Sequence, residues 1–352
     1  VSRRVENYLG GAFVPASGGD RIDDVAPATG AVVATIPRSG PDDVAAAVTA
    51  ATEAGRGPWA HTTVAERADL LDAIADRIEE RLDELSSLES FDTGKPRSLA
   101  RSVDIPRAVA NFRFFAGAVR HHEDGFQTMP GAINYTLRQP VGNVALITPW
   151  NLPLYLLSWK TAPALAMGNR VIAKPSELTP LTANALAEIV DDVGLPPGVF
   201  NVVHGVGAEV GQALCAADGV GAISFTGGTA TGRTVARTAA EDFKKLSLEL
   251  GGKNPTLVFA DSDLERAVAG TVKAGFANQG EICLCGSRVL VERSIHDAFV
   301  ERFVDRVRAL RLGDPDHAKT QVGALISATH REKVESYLQL ARDEGGTILC
   351  GG

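Results

Sequence analysis

The residue with the most distinctive chemistry is Cys283, in the run Phe276-Ala277-Asn278-Gln279-Gly280-Glu281-Ile282-Cys283-Leu284-Cys285-Gly286-Ser287-Arg288. A cysteine among apolar neighbours is by default a small buried hydrophobe. Here Gly, Asn and Gln lie between a helical and a strand-like segment, which predicts a loop, and a loop thiol near backbone dipoles can ionise and act as a nucleophile. Cys285, two positions on, is badly spaced for a disulfide with it, and the scattered histidines give no metal-ligand pattern. Glu249, between Leu248 and Leu250 at the end of an apolar strand, reads either as a desolvated carboxylate of raised pKa, as a general base needs, or as an edge acid paired with a lysine. Thr148-Pro149-Trp150-Asn151 closes another strand. It puts an amide where the ligand crevice of a parallel sheet lies, although an asparagine there also suits a helix cap.

Three further segments have the small residues that let a backbone approach an anion. His204-Gly205-Val206-Gly207-Ala208-Glu209-Val210-Gly211 follows a strand and opens a helix, but its last glycine comes one residue late for GxGxxG and no acid stands about 20 residues on. It reads as a phosphate loop or as a tight strand-to-helix turn. Phe225-Thr226-Gly227-Gly228-Thr229-Ala230-Thr231-Gly232 leads straight from a strand into a helix, whose free N–H groups could face an anion. Lys174-Pro175-Ser176-Glu177 ends another strand; Lys174 could reach ribose or phosphate and Glu177 could accept from ribose hydroxyls, or the four form a solvated turn.

These residues need elements to hold them. Pro41 to about Gly55 reads as a helix with acids in its first turn. Thr63 and Glu66 form a capping box for a longer helix, with Leu71, Ile74, Ile78, Leu82 and Leu85 at helical spacing until Asp92-Thr93-Gly94-Lys95-Pro96 stops it. A third helix covers about 100–120, and alternation around Asn134–Arg138 suggests a half-exposed strand pair. From Val141 strands at 143–148, 170–174, 199–204, 222–225, 245–250 and 256–260 alternate with helices at about 151–167, 180–193, 207–217 and 228–239. That alternation predicts a doubly wound α/β domain with a parallel sheet. A second α/β region follows, with helices near 263–277, 296–310 and 328–344 and a strand at 288–292.

Composition narrows the function classes. The chain has 352 residues, a net charge of −8 and 45% hydrophobic residues, which suits a globular protein of about two domains and disfavours a nucleic-acid partner. Its four cysteines are too few for a disulfide scaffold, so a reducing cytoplasm is expected. The polar start Val1-Ser2-Arg3-Arg4 lacks the apolar core of a secretory signal, and the least polar stretch, 151–168, contains Lys160 and two prolines; no membrane segment is expected.

Taken together and in order, PWN, KPSE, FTGGTATG, LELGGK and NQGEIC resemble the NAD(P)-dependent aldehyde dehydrogenase superfamily from Tyr8 to Gly352. NFRFFAG (111–117), PWNLPLYLLSWK (149–160), FANQGEICLC (276–285) and VGALIS (322–327) are similar to its 2-aminomuconic and 2-hydroxymuconic semialdehyde dehydrogenase branch. The resemblance implies an α/β fold, with a doubly wound Rossmann-type cofactor domain (1–123 and 141–251), an oligomerisation hairpin (124–140) and an α/β catalytic domain (252–352). It implies oxidation of an aldehyde to an acid with NAD: Cys283 attacks the carbonyl, Asn151 and the Cys283 N–H hold the oxyanion, and Glu249 activates the hydrolytic water with Lys160 as relay partner. Cofactor contacts fall on Thr148, Pro149, Trp150, Lys174, Ser176, Glu177, Gly207, Gly211, Phe225, Thr226, Gly227, Gly228, Thr229, Gly232 and Leu250, with NAD favoured over NADP because Glu177 repels a 2′-phosphate. No metal is implied.

Arg113, between aromatics on the 111–115 helix, is expected to point into the substrate tunnel and fork onto a substrate carboxylate. The small-molecule aldehyde is the expected partner, together with further copies of the chain in a homodimer or homotetramer. Two departures stand out. Gly228 replaces a common serine, and the family's later Glu-x-Phe-Gly-Pro segment and last strand do not occur in the 352 residues, so the catalytic domain is expected to be C-terminally incomplete, with open apolar faces after about residue 260. Two rival readings are a CoA-acylating aldehyde dehydrogenase, which a water-activating Glu249 disfavours, and a non-catalytic cofactor-binding remnant.

Overall fold

A computed structural model describes residues 3–352. Before the first helix come five short strands that the sequence reading did not anticipate: β1 (Arg3–Arg4), β2 (Asn7–Leu9), β3 (Ala12–Val14), β4 (Arg21–Val25) and β5 (Val32–Pro37). Runs this short show too few alternations to register as strands. β2 and β3 turn on Gly10 and Gly11, both at positive φ, and a Cβ at Gly11 would lie 2.9 Å from Pro197. β1, β5 and β4 form a sheet of their own.

The helices α1 (Pro41–Ala54), α2 (Val64–Glu80) and α3 (Leu82–Thr93) follow. Thr63 Oγ1 accepts from the Glu66 N–H while the Glu66 carboxylate takes the Thr63 N–H at 2.7 Å, the predicted box. The single helix expected through Asp92 is two, because the chain turns at Arg81, whose guanidinium reaches Glu84 and Glu188. Hydrophobic spacing persists across such a bend and cannot report it. α4 (Arg97–Leu99) and a π-helical stretch at Ala100–Asp104 lead into α5 (Ile105–Arg120).

The hairpin of β6 (Phe126–Met129) and β7 (Ala132–Tyr135) falls inside the expected 124–140 segment and shares Asn134 and Tyr135 with the expected alternation, but every residue of it is exposed rather than every second one. Then come β8 (Asn143–Ile147), α6 (Pro153–Ala166), β9 (Arg170–Lys174), α7 (Leu181–Asp192), β10 (Phe200–Val202), α8 (Gln212–Ala216), β11 (Val220–Gly227), α9 (Thr229–Glu241) and β12 (Lys245–Leu250). The helix expected from Gly207 begins instead as a π-helical turn, Gly207–Gly211.

Strands β8 to β12 are mutually parallel and ordered β12-β11-β8-β9-β10, and β2-β3 extend the sheet antiparallel beyond β10. On one face α2, α5 and α6 bury Leu71, Ile74, Ile78, Phe112 and Leu157. On the other, Val44, Ala47 and Ala51 of α1 pack with Leu214, Ile223, Phe225 and Val235. Helices on both faces of a parallel sheet are the predicted doubly wound architecture. From β8 the chain winds outward to β9 and β10, then returns to lay β11 and β12 on the other side. The switch point between β8 and β11 is where a ligand crevice opens.

The last region pairs β13 (Pro255–Val258) in parallel with β14 (Arg288–Val291) and carries α10 (Leu264–Phe276), α11 (His296–Arg308) and α12 (Ala328–Asp343). Its core is small, centred on Val258, Val268 and Phe299. Leu257, Phe259 and Leu290 are exposed. Among the described residues no helix is long and apolar enough to cross a membrane.

Candidate active site

The turns after β8, β9 and β11 meet at the switch point because their strands are in register, Ile147 opposite both Lys174 and Phe225. The Thr148 N–H donates to the Lys174 carbonyl at 3.2 Å. Lys174 is buried, and its ammonium stands 2.8 Å from the Glu177 carboxylate. Burial pushes Lys174 below its usual range and Glu177 offsets part of this. Burial opposes ionisation of Glu177 most strongly, but the Lys174 charge and the hydrogen bonds from Lys174 and the backbone together outweigh it and keep the carboxyl below its ordinary value. Glu177 also accepts from the Gly207 N–H at 3.4 Å, which brings the Gly207–Gly211 turn to this pair.

On the other side of the switch, Gly228 caps α9 with no side-chain hydrogen bond and Thr229 is exposed, so the first-turn N–H groups are open. The Phe225 ring covers Gly227. Gly232 is buried against Leu250, where a Cβ would fall 2.5 Å from Leu250 Cδ2. Ser176 Oγ accepts from the Leu178 N–H, which stiffens the β9 turn.

Cys283 is half-buried, on a loop whose approach is conformationally unusual: Asn278, Gln279 and Gly280 are successive left-handed residues with φ of 52°, 58° and 79°. Two non-glycine residues there need outside support. Asn278 Nδ2 donates to the Asn151 carbonyl at 3.1 Å, Gln279 Nε2 to the Ala324 carbonyl at 3.2 Å, and Asn254 Nδ2 to the Cys283 carbonyl at 2.7 Å. Asn151 Nδ2 in turn donates to the Glu281 carbonyl at 2.7 Å. The asparagine and the cysteine, 132 positions apart in the sequence, are thus brought to one place, the Asn151 amide bonding the loop that carries Cys283. Cys285 is buried, and burial pushes its thiol up.

Two expectations are corrected. Glu249 is exposed, because β12 is the edge strand of the sheet, so the desolvation expected there is absent. The desolvated member of the pair is Lys160, which shares a cavity of about 410 Å³ with Glu249 and donates to Ser224 Oγ at 2.7 Å. Burial brings Lys160 down to about 8, with the Glu249 charge opposing.

Arg113 does not offer its guanidinium to the cleft; it is exposed and bound to Glu79 and, at 3.0 Å, to Asp76 of α2. Its place between aromatics could not show that α2 supplies two carboxylates beside it. Arg107, one and a half turns earlier, lies 5.7 Å over the Tyr155 ring and has no carboxylate partner among the described residues.

The sequence reading missed a layer beneath the cleft. Lys95 is completely buried; its Nζ donates to Asp104 Oδ2 at 2.6 Å and to the Asn151 carbonyl at 3.0 Å, with Glu89 Oε1 at 3.9 Å. Burial pushes Glu89 up to about 7 against the pull of Lys95. Glu281 is also pushed up to about 7 by burial; it accepts from the Ile326 N–H at 3.2 Å and lies 3.5 Å from His330 Nε2, whose ring packs against Trp150. In sequence Lys95 is part of a helix stop and His330 part of an ordinary helix start. Only what folds over them marks them out.

Known proteins carry the same architecture. The fold superposes on the NAD+ complex structure of an aldehyde dehydrogenase from Bacillus cereus with a TM-score of 0.96 and 39% identity, over 99% of this chain and 72% of that one. The chain is 50% identical to 2-aminomuconic semialdehyde dehydrogenase of Danio rerio over 349 residues, 99% of this chain and 71% of that protein. It is 46% identical to 2-hydroxymuconic semialdehyde dehydrogenase of Pseudomonas sp. (strain CF600) over 356 residues, 99% of this chain and 73% of that protein. The aldehyde dehydrogenase family model matches residues 13–352, a span that includes every segment shaping the cleft. The chain therefore belongs to the aldehyde dehydrogenase family.

Proposed function

We propose that the protein oxidises a muconic-type semialdehyde to the carboxylic acid with NAD, using Cys283 as nucleophile. The observation that carries this reading is the 2.7 Å bond from Asn151 Nδ2 to the Glu281 carbonyl, which holds an amide donor beside the loop of the half-buried Cys283. Family membership makes the protein an aldehyde oxidoreductase, and the relatives named for muconic semialdehydes support the substrate class.

The residues present fit the cofactor. Lys174 and Glu177, 2.8 Å apart, offer a donor and an acceptor to ribose hydroxyls, and the uncapped start of α9 at Gly228 and Thr229 offers N–H groups to a pyrophosphate. Gly207 and Gly211 would flank the adenine, with Thr148, Pro149, Trp150, Ser176, Phe225, Thr226, Gly227, Gly232 and Leu250 completing the walls. NAD, when bound, supplies the acceptor for the hydride that aldehyde oxidation releases.

The chain's own residues do the remaining work. The Cys283 thiolate adds to the carbonyl carbon. One amide hydrogen of Asn151 is committed to Glu281, and the second meets the oxyanion together with the Cys283 N–H. At the thioester, Glu249 takes a proton from water and Lys160, within reach of its charge, relays that proton away. Arg107, free of carboxylates, is the arginine we assign to the acidic end of the substrate.

The same reading assigns 1–123 with 141–251 to cofactor binding, 124–140 to oligomerisation into a homodimer or homotetramer, and 252–352 to the catalytic domain. It places the protein in the cytoplasm, which its four free cysteines suit. To test the function, full-length protein is mixed with NAD and a muconic-type semialdehyde without CoA. Sustained NADH formation with release of the acid is expected. Strict CoA dependence would establish the acylating chemistry instead, and NAD binding without thiol reactivity a non-catalytic role.

A further inference from the structure

The carbonyl oxygen of Asn151 accepts from two side chains that come from distant parts of the chain. Lys95 Nζ lies 3.0 Å from it and Asn278 Nδ2 3.1 Å. Lys95 follows α3, Asn278 begins the left-handed run that leads to Cys283, and Asn151 belongs to the β8 turn. Three segments are thus pinned at one oxygen, on the residue whose side-chain amide donates to the Cys283 loop.

Lys95 is an expensive residue to place there. An ammonium with no exposure to water costs several kcal/mol unless its charge is paired and its protons are all used. Asp104 Oδ2, at 2.6 Å, supplies the counter-charge, and Glu89 Oε1 stands on a third side at 3.9 Å. A pair that served packing alone would need no third partner, yet the ammonium also spans to a backbone carbonyl in a different element. A roof keeps water away from it. The Ala324 N–H donates to the Gly94 carbonyl, a Cβ at Gly323 would lie 1.9 Å from that same oxygen, and Gln279 Nε2 ties the Ala324 carbonyl back to the Cys283 loop. In such a dry site a charge-assisted bond to a carbonyl is strong and directional.

We propose that Lys95 is a positioning residue for the oxyanion donor: with Asn278 it clamps the Asn151 carbonyl from below, so that the Asn151 amide cannot swing away from Cys283. The proposal rests on the reading of Asn151 as that donor. Lys95 touches no substrate atom; it acts through Asn151. Freed of the clamp, the β8 turn would let the amide wander, and misplacement by about 1 Å is enough to cost on the order of 10²-fold.

The test is a double-mutant cycle in the full-length enzyme, reading the rate of the first-turnover NADH burst, the NAD dissociation constant and the thermal midpoint. Lys95→Met is combined with Asp104→Leu so that Asp104 is not left buried without its counter-charge, Glu89 being already pushed up by burial and able to take a proton, and Asn278→Ala loosens the same oxygen without touching a charge. Asn151→Ala alone should slow the burst by about 10²–10³. The Lys95/Asp104 variant and Asn278→Ala should each slow it by roughly tenfold or more, with NAD affinity within about twofold of wild type. Placed in the Asn151→Ala background, they should slow it by less than about twofold further, because the group they position is gone.

A full, multiplicative loss in both backgrounds would overturn the clamp and leave Lys95 a structural pair, as would an unchanged burst in both variants. An unchanged burst in Asn151→Ala would bring down the donor assignment itself, and the clamp with it. If the Lys95/Asp104 variant does not fold, Asn278→Ala decides by the same comparison.

Discussion

Cys283 and Cys285 differ by two positions in sequence and by environment in the fold. The first is half-buried on the loop held by Asn151 and Asn254, whereas the second is buried and its thiol pushed up. Cys283→Ala should therefore abolish acyl-enzyme formation, seen by intact-mass measurement, while Cys285→Ala keeps it; the reverse result would reassign the nucleophile. Lys160 makes a pH prediction with a definite sign. Its ammonium is lowered by burial from 10.5 to about 8. The folded state therefore holds its proton less tightly than the unfolded chain, and the cost to stability is fully present below pH 8 and fades as pH rises toward 10.5. Lys160→Met should raise stability below pH 8 by up to about 3 kcal/mol, measured by denaturant titration, and should remove a limb near pH 8 from the deacylation profile. A limb that survives the substitution belongs to another group. Arg107→Ala should raise KM for acidic semialdehydes by roughly tenfold or more over any change for neutral aldehydes, the loss of a bidentate charged contact. Equal losses on both substrates would refute the pairing. The type of residue at each of these positions was readable from sequence. Its ionisation was not, because desolvation is imposed by neighbours that lie far away along the chain: Glu249 is the exposed edge acid rather than the desolvated carboxylate of its two readings, and the desolvated group is Lys160.

Among the elements, those with a local cause were legible: the Thr63–Glu66 box, the parallel strands and the uncapped start of α9 after Phe225-Thr226-Gly227. Elements that exist only because a partner accepts them, such as β2 beside β10 or the π-turn at Gly207–Gly211, had no periodicity to read. The approach of α9 to β12 shows how an element serves the site. Gly232 lets the helix lie against Leu250, where a Cβ would come within 2.5 Å of Cδ2. Gly232→Val should force the two apart at a cost of about 1–3 kcal/mol, displacing the first turn that we propose faces the pyrophosphate. NAD affinity, measured by fluorescence titration, should fall by about tenfold or more, while alkylation of Cys283 by iodoacetamide proceeds at its usual rate. Unaltered NAD affinity would show that the α9 start is not a cofactor contact.

For the molecule as a whole, the hairpin of β6 and β7 presents Phe126, Met129, Ile133 and Tyr135 at 66%, 51%, 63% and 64% exposure, a concentration of apolar surface that supports the oligomerisation role proposed for it. Phe126→Ser with Ile133→Ser should shift the assembly toward monomer in light scattering without lowering the thermal midpoint of the dilute protein. An unchanged mass would place the interface elsewhere. The sequence by itself determined the doubly wound α/β class and the succession of the parallel strands' segments along the chain, which follow from local periodicity and turn residues, and it offered Cys283, Asn151, Lys174 and Glu177 as candidates that the resemblance of the motifs taken together preferred over a buried thiol, a helix cap and a solvated turn. The tertiary structure alone decided that Arg113 is taken by Asp76 and Glu79, that Glu249 faces water while Lys160 is desolvated, and that Lys95 lies under Asn151. Each of these depends on burial and on contacts between segments remote in sequence, and no local pattern encodes the electric environment that a distant segment creates when it packs.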